Sequence, residues 1–171
     1  MIASIRKFFD IQILRNENQQ LKEALTLAYR SSNFNCYNRS GGEVHGADII
    51  RRERRRCSSG ELHMICLDIA GLGVMNQRIG EPAVNLKVSE CLQAVQAMRG
   101  VELVAQLNSG DEFTLLVDSV DAEGVVSRAR GLFIASGFDG LYAAVGAIDP
   151  EKSYVQNADC LMKSVYFSKS A

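Results

Sequence analysis

The stretch Leu107-Asn108-Ser109-Gly110-Asp111-Glu112-Phe113 lies between two apolar runs, residues 101–107 and 113–117. Two strand-like runs separated by Asn-Ser-Gly-Asp predict a β-hairpin. Two adjacent carboxylates, Asp111 and Glu112, stand where the chain enters the second strand, beside a glycine that leaves room for a ligand. This position suits a divalent cation, but Asp and Gly are also ordinary residues of a solvent-exposed acidic turn. The hairpin by itself leaves both interpretations open.

The whole chain has the size and composition of one folded domain with an appendage. It has 171 residues, of which 47% are hydrophobic, and only two prolines. The net charge of -1 gives no overall argument for nucleic acid or an anionic membrane as partner. No apolar run approaches the length that spans a bilayer, and the N-terminal segment mixes charged with apolar residues, unlike a signal peptide. We expect a cytoplasmic protein whose partners include neither nucleic acid nor a membrane.

The five cysteines are scattered along the chain and odd in number: Cys36, Cys57, Cys66, Cys91 and Cys160. They form no Cys-x-x-Cys pair, and only two histidines could join them, so neither a zinc site nor a disulfide framework is expected. Cys66 and Cys91 lie in apolar stretches, which predicts that they are small core residues.

An N-terminal helix is predicted from a coiled-coil spacing, in which steps of three and four residues alternate. The seam positions are Ile11, Leu14, Asn18, Leu21, Leu25 and Ala28. A single Asn in the seam favours a parallel dimer in register. Residues 1–30 are therefore predicted to form a dimerisation helix. The alternative is an amphipathic helix that packs on its own domain, with Phe8 and Phe9 as anchors.

Two further segments precede the first strand. Residues 31–46 are rich in Ser, Asn and Gly and predict a loop or linker. A helix is predicted from about Ala47 into residues 51–56, five of which are arginines. An arginine run can contact nucleic acid, but at a helix end and without interleaved aromatic residues it is more typical of a solvent-exposed face.

A buried strand is predicted over residues 62–69, where an apolar run leads into Asp68. The strand is followed by the glycine-containing turn Ala70-Gly71-Leu72-Gly73. A carboxylate at the C-terminal end of a buried strand, next to such a turn, is the usual layout for phosphate and metal binding. The alternative is an aspartate that caps a helix.

The remaining pattern predicts three helices and one strand. Pro82 suits the first turn of a helix that ends near Gly100, and Asp121 can cap the next helix. A strand is predicted over residues 140–148 and a last helix over residues 155–168. The predicted inward faces of the first two helices are Val84, Val88, Leu92, Val95 and Met98, then Val125, Ala129, Leu132 and Phe133.

These elements predict an α+β fold of two layers. The strand with Asp68 and the hairpin with Asp111 would lie side by side in an antiparallel or mixed sheet with helices on one face. That arrangement brings the two carboxylates together.

Residues 31–171 resemble the GGDEF domain of diguanylate cyclases. Residues 109–113 are similar to its signature, with Ser for the first Gly. Four other stretches align in the same order with the family's L-x-N-R, D-x-D-x-F-K-x-x-N, S-I-G and L-Y-x-A-K segments: residues 37–39, 68–76, 144–146 and 165–169. The resemblance implies a palm-like sheet, as in nucleotide polymerases and class III nucleotide cyclases.

The resemblance also implies roles for the matching residues. Asp68, the carbonyl of Ile69 and Asp111 would bind Mg²⁺ or Mn²⁺, and Glu112 would help activate the 3′-hydroxyl or hold a second cation. The phosphates would be cradled by the backbone N–H groups of Ala70, Gly71, Leu72 and Gly73, and Lys169 would reach a phosphate. Asn76 would contact guanine, and Asn85 would face the base. Two metals between carboxylates can provide the positioning and charge neutralisation that phosphoryl transfer needs.

Several residues depart from the family's pattern. Ala70 replaces the second Asp of D-x-D, and Leu72 and Gly73 replace the F-K pair, which removes a phosphate-side lysine. Asn85 replaces an Asp that accepts from guanine, so the choice between guanine and adenine is open. The arginine before the signature is missing, and residues 100–103 lack the R-x-x-D product-inhibition site.

The sequence therefore predicts a cyclic-dinucleotide synthase, and the resemblance implies GTP as its substrate. The resemblance also implies that each domain holds one nucleotide, so the synthase would work as a homodimer through the N-terminal helix. One alternative is a degenerate domain that binds a nucleotide or a protein partner. Another is a synthase of adenine-containing products that also uses ATP.

Overall fold

The computed structural model describes residues 2–56, 62–108, 110–118 and 121–169. Ser109 and Cys57 lie outside these ranges, and the side chains of Phe8 and Phe9 are also not described. The elements in chain order are α1 (Ile2–Ala28), α2 (Arg39–Arg56), β1 (Leu62–Ala70), α3 (Leu72–Ile79), α4 (Glu81–Gln96), β2 (Val101–Gln106), β3 (Glu112–Asp118), α5 (Ala122–Ala135), β4 (Gly140–Ala147) and α6 (Tyr154–Lys169). None of the described helices is both long enough and apolar enough to cross a bilayer.

The four strands form one antiparallel sheet in the order β2-β3-β1-β4. The central strand β1 pairs with β3 on one side and with β4 on the other. The hairpin of β2 and β3 is present as predicted, and its turn lies next to the C-terminal end of β1. The predicted α+β class is confirmed, and of the two predicted sheet types, antiparallel and mixed, the sheet is antiparallel.

Helices cover both faces of the sheet, not the single face that the sequence predicted. Successive residues of β1 point to opposite faces and enter two separate cores. Ile65 and Leu67 pack with α3, α4 and α5, whereas Met64 and Cys66 pack with α2 and α6. The apolar run of β1 indicates burial on both faces, but the return of α2 and α6 to the second face depends on tertiary packing that no local pattern encodes.

Helix α2 begins at Arg39, well before the predicted start near Ala47, so the prediction of a loop up to residue 46 is wrong for this segment. Its glycines have a packing role. A Cβ atom on Gly46 would lie 2.3 Å from Cδ2 of Tyr154, and one on Gly42 would lie 2.9 Å from the same ring. A glycine-rich helix can therefore approach Tyr154 closely, although its composition is typical of a loop.

Other local predictions are confirmed. The side chain of Asp121 accepts a hydrogen bond from the Gly124 N–H at 3.0 Å and caps α5. Val125 and Phe133 of that helix are buried, as are Cys66 and Cys91. The cysteines that the structure describes are free thiols, and burial raises the pKa of Cys66 to about 12, so this thiol is an inert core residue.

Helix α1 exposes its apolar seam. Leu14 is 57% exposed, Leu21 63% and Leu25 51%. The alternative of a helix packed on its own domain is therefore wrong for residues 11–28, and pairing with a second copy stays a prediction. Asn38 connects this helix to the domain, because its side-chain amide donates to the carbonyls of Ala28 at 2.7 Å and Arg30 at 3.0 Å.

Candidate functional site

Asp68 lies near the end of β1 on the face that carries α2 and α6, and only 1% of its surface is exposed. Its partners in the strand register are Glu112 on β3 and Tyr142 on β4. Directly opposed residues of an antiparallel pair project to the same face, with Cβ atoms about 4.5–5.5 Å apart. Two carboxylates of the sheet therefore lie side by side beneath the end of α6.

The two oxygens of Asp68 have different surroundings. Lys169, the last residue of α6, donates from Nζ to Oδ2. Oδ1 is buried and has no hydrogen-bond partner among the described residues. Burial raises the pKa of Asp68 above its usual value, although the hydrogen bond from Lys169 opposes this shift. One oxygen of Asp68 is thus paired with an ammonium group, and the other remains available to a ligand.

Asp111 lies in the hairpin turn, immediately before β3. Its carbonyl accepts a hydrogen bond from the Ile69 N–H at 3.1 Å, which joins the turn to the end of β1. Gly110 has a φ of 103°, a conformation that favours glycine. The negative charge of Asp111 adds to burial in raising the pKa of Asp68. The structure thus places the two predicted carboxylates close enough to interact.

A cavity of about 370 Å³ opens at this end of the sheet. Asp68, Asp111 and Lys169 line it, together with residues 69–74. We refer to it as the carboxylate cavity. Gly71 has a φ of 79° and caps the N-terminus of α3, and the first backbone N–H groups of a helix are typical anion ligands. Residues 70–73 therefore line the same cavity as the carboxylates, as predicted.

Two further residues of the carboxylate cavity were not predicted from the sequence. A Cβ atom on Gly71 would lie 2.2 Å from Oδ2 of Asp139, so this carboxylate packs directly against the glycine turn. Tyr142 also lines the cavity, and Nζ of Lys169 is 5.8 Å from its ring centroid. Neither residue belongs to a recognisable motif, and both reach the site only because β4 pairs with β1.

Glu112 occupies a neighbouring position and does not line the carboxylate cavity in the part of the chain that is described. Its Oε1 accepts a hydrogen bond from the Tyr166 hydroxyl at 2.5 Å, and its Oε2 accepts from the side-chain amide of Asn108. The hydrogen bond to Glu112 is the main cause that raises the pKa of Tyr166 to about 12. Glu112 is thus held between the hairpin and α6.

The residues fit a cation with oxygen ligands, although they do not form a closed metal cage. Within residues 2–56, 62–108, 110–118 and 121–169, no three His, Cys, Asp or Glu side chains are arranged to hold a metal ion. Mg²⁺ usually takes only one or two carboxylates and completes its coordination with water and phosphate oxygens. The buried Oδ1 of Asp68, which lies close to Asp111 and has no hydrogen-bond partner in the described part of the chain, is a ligand of that kind.

The two amides predicted to face the base lie outside the carboxylate cavity. Asn76 lies on α3, and its buried Oδ1 has no hydrogen-bond partner in the described ranges. Asn85 is partly exposed on α4. The structure therefore does not bring these side chains together with Asp68 and Asp111, and their roles stay predictions.

A second cavity, of about 540 Å³, lies between α2 and β2. Arg51, Arg52, Arg55 and Glu102 are among the residues that line it. The three arginines are exposed, and Arg51 forms an ion pair with Asp48 of its own helix at 2.7 Å. For these three residues the exposure fits the predicted solvent-exposed face, and contact with nucleic acid stays the alternative.

No protein-family model matches the sequence, and no curated protein matches it either. Solved structures do match. The coiled coil and GGDEF domain of DgcB from Caulobacter crescentus, in complex with c-di-GMP, gives a TM-score of 0.74 at 14% identity over 99% of this chain and 95% of that chain. The S helix-GGDEF-EAL segment of LapD from Vibrio cholerae, bound to c-di-GMP, gives 0.68 at 17% identity over 94% of this chain and 38% of that chain.

A third match is the diguanylate cyclase SiaD from Pseudomonas aeruginosa in complex with its activator SiaC. It has a TM-score of 0.58 at 20% identity and covers 97% of this chain and 70% of that chain. Likeness at this level of identity shows the fold, and function depends on the residues of each site. The chain has the α+β palm fold of GGDEF domains.

Proposed function

We propose that the protein is a cytoplasmic, metal-dependent synthase that joins two nucleoside triphosphates, GTP by resemblance, into a cyclic dinucleotide with release of pyrophosphate. The observation that carries this proposal is the buried Oδ1 of Asp68, which has no hydrogen-bond partner among the residues that the structure describes. It lies close to Asp111 and to the glycine turn at residues 70–73, on the fold of GGDEF domains. Two of the structures with this fold were solved with c-di-GMP, the product expected from GTP.

In this proposal Asp68, the carbonyl of Ile69 and Asp111 hold Mg²⁺ or Mn²⁺. A cation held there would supply charge neutralisation and Lewis acidity at the triphosphate. The backbone N–H groups of residues 70–73 orient the phosphates, and Lys169 can turn from Asp68 to a phosphate oxygen within the same cavity.

The reaction forms a bond between the 3′-oxygen of one nucleotide and the α-phosphorus of the other. The bond from that phosphorus to pyrophosphate breaks, and the hydroxyl proton passes to the carboxylate of Glu112. Glu112 can also serve a second cation. The ring closes when the same exchange occurs a second time, with the two nucleotides in reversed roles.

Two sites must face each other because one domain holds one nucleotide. The exposed seam of α1, with Leu14, Leu21 and Leu25, offers a surface for a parallel homodimer. Asn38 joins the end of α1 to the start of α2, so a dimer formed through α1 would be connected directly to the two domains.

A second candidate function is a degenerate domain that binds a nucleotide or a partner protein without catalysis. It is favoured by the lack of three metal-ligating side chains in the described residues and by Leu72 and Gly73 in place of a phosphate-side lysine. A synthase of adenine-containing products is the third possibility, because Asn85 can present either an acceptor or a donor to a base.

The proposal is tested by incubating the purified protein with GTP, with ATP and with both, in Mg²⁺ or Mn²⁺, followed by chromatography of the products. We expect a cyclic dinucleotide from the wild type and none from Asp111→Ala, with the melting temperature of the variant unchanged. Failure to form a cyclic dinucleotide under all of these conditions would reject the synthase. A melting temperature that rises with Mg²⁺ and GTP would then support the nucleotide-binding alternative.

A further inference from the structure

The carboxylate of Glu112 is held at both oxygens by residues to which the proposed function assigns no role. The Tyr166 hydroxyl donates to Oε1 at 2.5 Å, and the Asn108 amide donates to Oε2. Tyr166 belongs to α6 and Asn108 to the hairpin turn, so the two donors reach the carboxylate from different elements. Each donor uses one lone pair, which leaves further lone pairs on both oxygens for a cation or a proton.

The orientation of Asn108 is itself fixed. Arg39 donates from Nη1 to Oδ1 of Asn108 at 3.1 Å and to the Leu107 carbonyl at 3.4 Å. With its oxygen occupied by Arg39, the amide presents its NH₂ group to Glu112. Nη2 of Arg39 donates to both carboxylate oxygens of Asp159, at 3.0 and 3.1 Å. A rigid guanidinium fork thus links α2, α6 and the hairpin.

One turn of α6 contacts both opposed carboxylates of the sheet. Tyr166 and Lys169 are three residues apart and so lie on the same side of the helix. Lys169 donates to Asp68, whereas Tyr166 donates to Glu112. Asp68 and Glu112 are register partners, so one side of the last turn of α6 contacts two side chains that are neighbours on the sheet.

We propose that Tyr166 and Asn108 are positioning residues that orient the carboxylate of Glu112 toward a cation bound beside Asp68, and that the Arg39–Asp159 pair keeps Asn108 in place. The inference rests on the proposed function, since it assumes that a cation binds there. Carboxylates that ligate metals are commonly fixed by such outer hydrogen bonds, and loss of one typically weakens metal binding by about 10–100-fold.

A thermodynamic cycle on Mn²⁺ binding tests the inference without using catalysis. Free Mn²⁺ is titrated by electron paramagnetic resonance against the full-length wild type, Tyr166→Phe, Glu112→Gln and the double variant. Tyr166 is 42% exposed, so Phe is expected to leave the fold intact. Tyr29→Phe is the matched control, because its ring contacts His45 away from the carboxylates.

We expect Tyr166→Phe to weaken Mn²⁺ binding by about tenfold, and the double variant to bind no more weakly than Glu112→Gln. That result means that Tyr166 acts through Glu112. The inference would be overturned if Tyr166→Phe bound Mn²⁺ within about twofold of the wild-type affinity. It would also be overturned if the loss of Mn²⁺ affinity in the double variant equalled the product of the two single losses. Wild type that fails to bind Mn²⁺ overturns it as well.

A second variant tests the more distant part of the network. Arg39→Lys keeps the charge but loses the planar fork that donates to Asn108 from Nη1 and to Asp159 from Nη2 at the same time, so it should weaken Mn²⁺ binding in wild type and not in Glu112→Gln. An equal loss in both backgrounds would contradict the role of Arg39. If wild type binds Mn²⁺ but yields no cyclic dinucleotide, the proposed synthase fails, and these variants still decide the roles of Tyr166 and Arg39.

Discussion

Asp68 of β1 and Glu112 of β3 are register partners in the antiparallel sheet, and each is hydrogen-bonded by a different residue of the last turn of α6. The pairing of the strands therefore determines which carboxylates can share a ligand. The hairpin turn adds Asp111 at the same end of the sheet, through its backbone bond to Ile69. In this arrangement the ammonium group of Lys169 supplies the positive charge next to Asp68.

Replacing Lys169 with Met should destabilise the fold at neutral pH. Asp68 is buried, so loss of its ammonium partner leaves an uncompensated charge; since Lys169 is itself one-third exposed, we expect a loss of about 1–3 kcal/mol in the free energy of unfolding. Urea unfolding at pH 7 measures this loss. Lys163→Met, on the exposed side of α6, is the matched control and should have little effect.

The same variant has a defined pH dependence. Burial raises the pKa of Asp68 in the folded state, and removal of the Lys169 hydrogen bond should raise it further. Ionised Asp68 then opposes folding above the unfolded-state pKa of about 4, and the penalty is absent when the group is protonated in both states. The stability difference between Lys169→Met and wild type should shrink as the pH falls from 7 toward 4. A difference that is independent of pH would mean that Lys169 stabilises the fold by packing alone.

Asp139→Asn should strengthen the binding of nucleoside triphosphate. The Asp139 carboxylate packs against Gly71, beside the turn proposed to cradle the phosphates, so it repels them. Removing this charge at an exposed site should improve the binding free energy by about 1 kcal/mol, which corresponds to a roughly fivefold lower Kd. This gain in affinity should be smaller at high salt. Isothermal titration with Mg²⁺ and a nonhydrolysable GTP analogue at two salt concentrations measures both effects. Weaker binding would instead indicate that Asp139 helps to hold the cation.

Asn85→Asp should shift base preference toward guanine. An aspartate accepts hydrogen bonds only, which matches the donors on the Watson–Crick edge of guanine, whereas an amide can serve either base. With equimolar GTP and ATP, the ratio of guanine to adenine in the cyclic products should rise by at least about tenfold. An unchanged ratio would show that Asn85, which lies outside the carboxylate cavity, does not contact the base.

Leu21→Lys in α1 should disrupt the homodimer without unfolding the domain. Leu21 is 63% exposed in the single chain, so the substitution removes an apolar contact only where a second copy is present. Sedimentation equilibrium should show a dimer dissociation constant raised by at least about tenfold, whereas Gln20→Lys, outside the seam, should have little effect. A wild type that sediments as a monomer would contradict the predicted coiled coil.

The parts of the fold that local chemistry determines were predictable from the sequence. The apolar run before Asp68 indicates a buried strand, the glycine-containing turn before Glu112 indicates a hairpin, and Asp121 indicates a helix start. The sequence also predicted that the hairpin lies beside the strand that carries Asp68, whereas the choice of β3 over the consecutive strand β2 as the partner of β1 depends on tertiary packing.

The rest depends on contacts between distant segments. The early start of α2 requires the ring of Tyr154 against its glycines, and no composition rule includes that partner. Asp139 reaches the carboxylate cavity only through the pairing of β4 with β1. Tyr166 lies in the stretch that resembles the L-Y-x-A-K segment, but its hydrogen bond to Glu112 depends on where α6 ends above the sheet.

The most direct measurement is a crystal structure of the protein grown with Mn²⁺ and a nonhydrolysable GTP analogue, with anomalous diffraction used to locate the metal. We predict a manganese peak at the buried Oδ1 of Asp68 and the carboxylate of Asp111, with the triphosphate against residues 70–73. Manganese bound elsewhere, or a carboxylate cavity without nucleotide in which Lys169 still pairs with Asp68, would contradict the proposed synthase.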